Sequence, residues 1–256
     1  MPEAMQAAIK TTTLSDVRGF HETFYGADHG KLAIVGDVDS GAILTPLETL
    51  FGDWNSQVVH ERPVRLYTDM EPTSLNVEAG GTATGHYLRR FYFPLTIDSE
   101  DAAPLLVATH ILGGDPLNSR LGRRIREQEG MTYNIRASAH IVSHGDASRI
   151  TIQSHYPKSE KERFLEIVRD EVDRFIKDGV TQQEVEWSKA TLLQGAGAAL
   201  DDVNTLVNLL HRQLERGATM DQMIEYRRDL SKVTDKQVSE VIEHYFSVLF
   251  SEVIAD

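Results

Sequence analysis

The sequence has no cysteine among its 256 residues. Disulfides, a thiol nucleophile and a cysteine-type metal site are therefore excluded. It also has no apolar run near the roughly 18–20 residues that cross a bilayer. Its first residues, MPEAMQAAIK, lack the apolar core of a signal peptide. The sequence therefore predicts no membrane span, and it leaves open whether the chain is a mature product or a piece of a longer protein.

Positive charge is scarce. Lys and Arg number 26 against 39 Asp and Glu, which gives a formal net charge of -13. Because nucleic-acid affinity comes largely from Lys and Arg contacts to phosphates, no nucleic-acid partner is expected. The hydrophobic content of 41% is enough for a sizeable core. The length corresponds to one large domain or two small ones.

The common zinc motifs are absent, both His-Glu-x-x-His and its inverse, His-x-x-Glu-His. His21 lacks the second histidine, and Glu243-His244 has Glu240 where the first histidine would stand. A zinc site needs such ligands in a fixed geometry, so no metal site is predicted in this chain. There is also no P-loop or dinucleotide-binding glycine pattern, and no cofactor-binding residue is predicted.

Residues 1–58 are predicted to be a helix–strand–helix remnant of a preceding α/β domain. Apolar spacing predicts a helix over Thr12–Tyr25, a strand over Leu32–Val38 and a helix from Asp39 to Phe51. Pro46 is expected to be tolerated only near the first turn of the last helix. A single strand cannot satisfy its own backbone groups, so its partners are expected elsewhere in the chain or in a missing piece.

Residues 59–72 have little apolar periodicity and are predicted to be a linker. Residues 73–256 are predicted to form a complete α+β domain, an antiparallel sheet with helices packed on one face. The predicted strands are Ser74–Glu78, His86–Phe93, Tyr133–Val142 and Ala147–Tyr156. The predicted helices are Asp98–Leu112, a basic helix ending at Gly130, Ser159 to about Asp178, Gln182–Gln194, Asp201–Arg216, Met220–Ser231 and Thr234 to about Leu249. Capping boxes are predicted at Ser159/Glu162, Thr181/Glu184 and Thr234/Gln237.

Two groups of residues are candidates for function. The first is the set of arginines on the basic helix: Arg120, Arg123, Arg124 and Arg126. Their guanidinium groups suit an anion or a substrate carboxylate, but they could equally form a solvated face paired with Glu127 and Glu129.

The second candidate is the pair Arg149 and Tyr156, which bracket the strand RITIQSHY. Residues seven apart in a regular strand lie on opposite faces and about 23 Å from each other. The two side chains could converge only if the strand bends or if Tyr156 lies beyond its end, which Pro157 would allow. Spacing alone gives them no function.

Several segments, in order, resemble one family. They are DVRGFHETFYGADHGKLAIVGDVD at Asp16–Asp39, ILGGDPLNSRLGRRIREQEGMTYNIRAS at Ile111–Ser138, and the helix junctions Asp178–Glu184 and Val233–Val238. Together they resemble the C-terminal portion of insulinase-type zinc peptidases, which include pitrilysin and mitochondrial processing peptidase. The resemblance covers about residues 13–246.

The resemblance implies the metallohydrolase-like fold of the processing peptidases, in which two halves close on an unfolded peptide. Zinc would sit in the other half, which is missing from this chain or supplied by a partner. Arg149 and Tyr156 match the spacing and location of an Arg and a Tyr that hold the peptide backbone in this family. By resemblance they would also stabilise the oxyanion of the tetrahedral intermediate.

Three functions follow as expectations. The first is an accessory, substrate-binding half of a zinc metalloendopeptidase, inactive alone, with a zinc-bearing half and a peptide as partners. The second is a non-catalytic structural or assembly module of the same fold. The third is a self-sufficient hydrolase. A homodimer through the strand Leu32–Val38 is also expected for the isolated chain. The compartment is undetermined, and the resemblance to bacterial relatives is compatible with the periplasm.

Overall fold

A computed structural model describes residues 3–78 and 80–256. Contacts divide the chain into two units. The first consists of residues up to Pro63 together with Asp202–Ala218, and the second of Val64–Asp201 with Thr219–Asp256. The division falls inside the predicted linker. It groups residues 202–218 with the first unit, whereas the sequence prediction kept all of residues 73–256 in one domain.

The described residues form nine α-helices and five strands. The helices are α1 (Glu3–Thr11), α2 (Leu14–Phe24), α3 (Ser40–Phe51), α4 (Ala102–Gly113), α5 (Lys161–Asp178), α6 (Gln182–Asp201), α7 (Val203–Arg216), α8 (Met220–Lys232) and α9 (Asp235–Phe246). The strands are β1 (Ser74–Val77), β2 (Thr84–Pro94), β3 (Arg136–His140), β4 (Ala147–Pro157) and β5 (Phe250–Ala255). A π-helical segment spans Gly122–Gln128, and a 3-10 turn spans Lys158–Glu160. No helix within the described ranges is both long enough and apolar enough to cross a bilayer.

The predicted helices of the first unit are confirmed. Thr13 caps α2 with a capping box, and the Asp39 carboxylate caps α3. The restriction on Pro46 was wrong, because this proline lies inside α3 rather than in its first turn. The helix continues through it with one backbone donor fewer.

The strand predicted over Leu32–Val38 was wrong, since these residues have no regular secondary structure. The apolar composition favoured a strand, but among the described residues no neighbouring strand pairs with the segment, so its backbone groups cannot form a ladder. Leu32 and Ile34 are instead 58% and 43% exposed. The expected homodimer rested on this strand, and it loses that basis.

The second unit contains a five-stranded sheet in the order β1-β5-β2-β4-β3. Strands β1 and β5 are parallel, and the other neighbours are antiparallel. The α+β prediction is therefore confirmed. The sequence reading missed β5, because it extended the last helix to Leu249 and assigned nothing to the residues that follow.

Helices cover one face of this sheet. Alternate β2 residues, Tyr87, Phe91 and Phe93, are at most 2% exposed on that side. The Phe91 ring lies 5.5 Å from that of Phe246 on α9, and α4 and α5 pack against β3 and β4. The main core therefore lies between the sheet and these helices.

Helix caps decide where several helices begin. The boxes at Thr181/Glu184 and Thr234/Gln237 are confirmed. The box predicted at Ser159/Glu162 was wrong. The 3-10 turn after β4 delays the start of α5 to Lys161, and its N-cap residue makes no side-chain capping bond.

A buried ionic cluster joins β5 to β2 and α5. The Glu252 carboxylate, 4% exposed, accepts hydrogen bonds from the Tyr87 hydroxyl at 2.9 Å, from Arg89 Nη2 at 3.0 Å and from Arg169 Nη2 at 2.8 Å. Burial opposes ionisation, but these three donors hold the pKa of Glu252 below its usual value. The Arg89 guanidinium also lies 4.1 Å from the centre of the Phe250 ring. The cluster thus ties β5 both to the neighbouring strand β2 and to the covering helix α5.

A second ion pair anchors the start of α6. Arg120 binds Glu184 through two bonds, Nε to Oε1 at 2.7 Å and Nη2 to Oε2 at 2.9 Å. Burial opposes ionisation of Glu184, but the hydrogen bonds from Arg120 and the Thr181 backbone lower its pKa to about 2.

Replacing Glu252 with alanine should lower the free energy of unfolding by about 3–5 kcal/mol, because Arg89 would remain buried without its carboxylate. Urea denaturation measures this change. The control is Glu240→Ala, which removes an exposed carboxylate paired with Lys236 on α9 and should change stability by less than about 0.5 kcal/mol. Equal losses in the two variants would contradict the role of the cluster.

The Arg120–Glu184 pair should make stability depend on pH. The pKa of Glu184 is about 2 when folded against an ordinary 4.5. Its contribution is therefore complete above pH 4.5 and is lost as the pH falls towards 2, up to about 3 kcal/mol. The stability gap between the native chain and Glu184→Gln should shrink as the pH falls from about 5.5 to about 3. The exposed Glu186→Gln serves as the control; a gap independent of pH would contradict the argument.

Candidate functional site

The sheet has a second face, opposite the helix-covered one, whose side chains are half-buried or exposed apart from the buried Thr151. We term it the open face. Strand register arranges its residues in rows. These rows are His140–Arg149–Tyr92, Ser138–Thr151–Arg90–Ser251, Arg136–Gln153–Leu88–Val253 and His155–His86–Ala255. The open face is therefore an ordered surface on rigid strands rather than on loops.

Arg149 lies on the open face, half-buried between His140 on β3 and Tyr92 on β2. Desolvation lowers the pKa of His140, and the nearby Arg149 charge lowers it further. Within residues 3–78 and 80–256 no carboxylate lies within ion-pair distance of Arg149. Its guanidinium can thus bind a ligand without first breaking an ion pair.

Tyr156 lies on the helix-covered face and is 1% exposed. Its ring stacks on Phe164 with the centroids 4.9 Å apart, and its hydroxyl donates to Asp256 Oδ1 at 2.6 Å. The ring also covers Gly85, where an added Cβ would approach a ring carbon to 2.4 Å. Burial raises the pKa of Tyr156 well above its usual value, and the bond to Asp256 raises it further. The phenol is therefore a protonated donor held inside the fold.

The structure does not bring Arg149 and Tyr156 together. Strand β4 is paired with β2 at every residue from Ala147 to Pro157, so it neither bends away nor ends before Tyr156. The two side chains lie on opposite faces, as the alternation of a regular strand requires. Their joint role in substrate binding stays a prediction.

Most arginines of the predicted basic helix, which the structure shows as the π-helical segment Gly122–Gln128 and the residues just before it, bind neighbouring residues of the same unit. Arg120 is held by Glu184 and the Gly179 carbonyl, Arg124 pairs with the predicted Glu129, and Arg126 lies 5.1 Å from the centre of the Tyr133 ring. A cavity of about 290 Å³ is lined by Arg120, Arg123, Arg124, Gln128, Glu171 and Arg174. Arg174 in turn pairs with Asp170. Four arginines line the cavity, and four carboxylates lie on or next to its wall: Glu129, Asp170, Glu171 and Glu184. The cavity therefore carries little net positive charge.

The residues present do not fit a zinc ion. The described part of the chain contains no group of three His, Asp or Glu side chains that could hold a metal. His21 stacks on Tyr25 and Trp54, and His244 packs edge-on against Tyr245. The histidines nearest to the zinc motifs in sequence are therefore used in aromatic contacts.

Comparison with known proteins gives a consistent result. A model of the family described as "Peptidase M16 inactive domain" matches residues 11–192. The "uncharacterized zinc protease YmxG" of Bacillus subtilis is 21% identical over 237 residues, which cover 90% of this chain and 54% of that protein. The "non-peptidase homolog YmxG" of Helicobacter pylori is 24% identical over 151 residues, 58% of this chain and 34% of its own.

Among solved structures, a peptidase M16 inactive domain from Pseudomonas fluorescens has the same fold. Its TM-score is 0.77 at 22% identity, and the match covers 97% of this chain and 59% of that one. The chain spans about half the length of the first curated relatives it matches. The resemblance read from the sequence is confirmed, and since the family model matches well over half of the chain, this protein belongs to the peptidase M16 family and carries its inactive domain.

Proposed function

We propose that this chain is the accessory, substrate-binding half of a zinc metalloendopeptidase. The zinc would be carried elsewhere, on another part of the same polypeptide or on a partner subunit. The observation that carries the proposal is the open face, a solvent-accessible sheet surface on which Arg149 is presented by β4, the second strand from one edge. The match to the inactive-domain model of the peptidase M16 family supports the division of labour.

The open face suits an extended peptide. The Arg149 guanidinium can donate several hydrogen bonds to backbone carbonyls. Its backbone is held on both sides, by β3 and by β2, so the point from which the side chain extends is fixed before a peptide binds. We assign it the role of holding the peptide backbone.

Tyr156 is the second residue proposed for function, and unlike Arg149 it does not lie on the open face. Its hydroxyl would reach a peptide on the open face only by leaving Asp256 and the core. Its contact with Asp256 also ties β4 to the end of β5. We propose that Tyr156 acts on the transition state, and the variant Tyr156→Phe distinguishes this action from a purely structural contribution.

The first unit supports a partner for the chain. Helices α1, α2 and α3 bury no residue. Val17, Phe20 and Phe24 on α2 are each more than 50% exposed. Exposed apolar surface of this kind marks an interaction surface. We propose that the zinc-bearing half covers it.

The second candidate is a non-catalytic assembly module. The name of the Helicobacter pylori relative describes that protein as a non-peptidase, which favours this alternative. In that case the open face would bind no substrate, and Arg149 could be replaced without a functional effect.

Complementation tests the proposal. When a separately produced zinc-bearing M16 half and this chain are combined, cleavage of an unstructured fluorogenic peptide should exceed that of either part. Arg149→Ala should lower kcat/KM about tenfold or more, because a charged hydrogen-bond donor is lost. The control is Arg174→Ala, which removes an exposed arginine of α5 and should leave the rate unchanged.

The variant Tyr156→Phe distinguishes a direct effect of the Tyr156 hydroxyl on the transition state from an effect on stability. A direct effect on the transition state should lower kcat with KM unchanged. A structural effect should lower only the urea midpoint, since one hydrogen bond contributes about 1 kcal/mol. Equal cleavage by the native chain, Arg149→Ala and Tyr156→Phe would leave the assembly module as the function.

A further inference from the structure

We propose that the open face selects extended peptides with acidic side chains at alternate positions. The inference rests on the proposed function, because it names the class of substrate that the same surface would hold. It is drawn from three arginines that face the same side of the sheet from three different strands: Arg90 on β2, Arg136 on β3 and Arg149 on β4.

These three arginines have no internal counter-charge. None of them forms an ion pair with a carboxylate in the part of the chain that the structure describes. Arg90 makes one long hydrogen bond, Nη1 to the Tyr92 hydroxyl at 3.4 Å, and its buried Nε has no partner among the described residues. The guanidinium groups are thus left with unused donors.

The other residues of the open face leave the positive charge of these arginines uncompensated. The outward residues of the five strands, from Leu75 and Val77 on β1 to Ser251 and Val253 on β5, include no aspartate or glutamate. Elsewhere the chain is strongly acidic, with a net charge of -13. The open face is therefore a local positive surface on a negative protein, which favours an anionic ligand at short range.

The spacing of the arginines indicates the form of the ligand. Arg149, Arg90 and Arg136 occupy three successive rows, each two residues further along β4. Two residues of extended chain span about 6.6–6.8 Å, and an extended peptide presents alternate side chains to one side at the same interval. A peptide running along the strands would therefore place carboxylates at positions i, i+2 and i+4 near the three guanidinium groups.

The experiment uses fluorescence anisotropy with the full chain and four labelled peptides of equal length. One alternates Glu and Ser, the second has the same composition with its Glu residues contiguous, and the third and fourth alternate Gln or Lys with Ser. The alternating Glu peptide should bind about tenfold more tightly than the Gln peptide, as expected for three partly exposed ion pairs. It should also bind more tightly than its contiguous isomer, and the difference should decrease with added salt.

The variant Arg90→Gln/Arg136→Gln/Arg149→Gln should lose the preference for Glu over Gln. The matched control is Arg123→Gln/Arg174→Gln/Arg228→Gln, which removes the same charge from the helices of this unit and should keep the preference. Thermal melting checks that both variants fold, and the single variant Arg136→Gln, exposed on an edge strand, should show a partial loss if the triple variant does not fold.

The outcomes distinguish this inference from the proposed function. Binding of the Gln and Glu peptides with equal affinity would overturn the acidic selection and leave peptide binding in place. Binding of none of the peptides would count against both. An equal loss in the two triple variants would mean that general charge, not the open face, attracts the peptide. Stronger binding of a single-stranded oligonucleotide than of any peptide would also overturn the inference.

Discussion

The carboxylate of Glu252 is the interaction on which the sheet depends. It lies on β5, which is inserted between β1 and β2, and it receives donors from β2 and from α5. Of the two arginines that share this carboxylate, Arg89 is buried with it and Arg169 is half-exposed, so the buried part of the cluster is one ion pair. An aromatic ring beneath Arg89 partly offsets the cost of that burial. With β5 fixed in this way, side-chain alternation determines which residues of β2 and β4 point to the open face.

The far end of β5 makes the second connection. Asp256 pairs with Lys161 at the start of α5 and accepts a hydrogen bond from the Tyr156 hydroxyl. These two donors lower the pKa of Asp256. A tyrosine that sequence resemblance assigns to substrate binding is thus part of the joint between β4, β5 and α5. A residue placed in this way can affect the substrate indirectly, by setting the position of the strand that carries Arg149, even where its own hydroxyl points the other way.

Much of this fold was predictable from short-range signals. The apolar alternation of β4 and the boxes at Thr181 and Thr234 are local patterns, and the structure confirms them. The secondary-structure predictions were wrong where pairing with a distant strand determines whether a segment becomes a strand. Residues 31–38 have strand-like composition but no partner among the described residues, while β5 is a strand because β1 and β2 flank it. For the site, alternation alone placed Arg149 and Tyr156 on opposite faces. The arginine rows could not be predicted, because the register of β2, β3 and β4 sets them.

The distribution of charge over the surface of the second unit bears on the proposed accessory role. Exposed acidic residues lie on the helices and in the loops, for example Glu162 and Glu166 on α5 and Glu71 before β1, whereas the open-face positions of the strands have none. Net charge is therefore a poor guide to the charge of one face of a sheet. A surface that holds a peptide needs donors at fixed intervals and no competing carboxylates nearby. Strands supply the fixed intervals, because their backbone ladder sets them before a ligand arrives, and the sequence at the open-face positions supplies the lack of carboxylates.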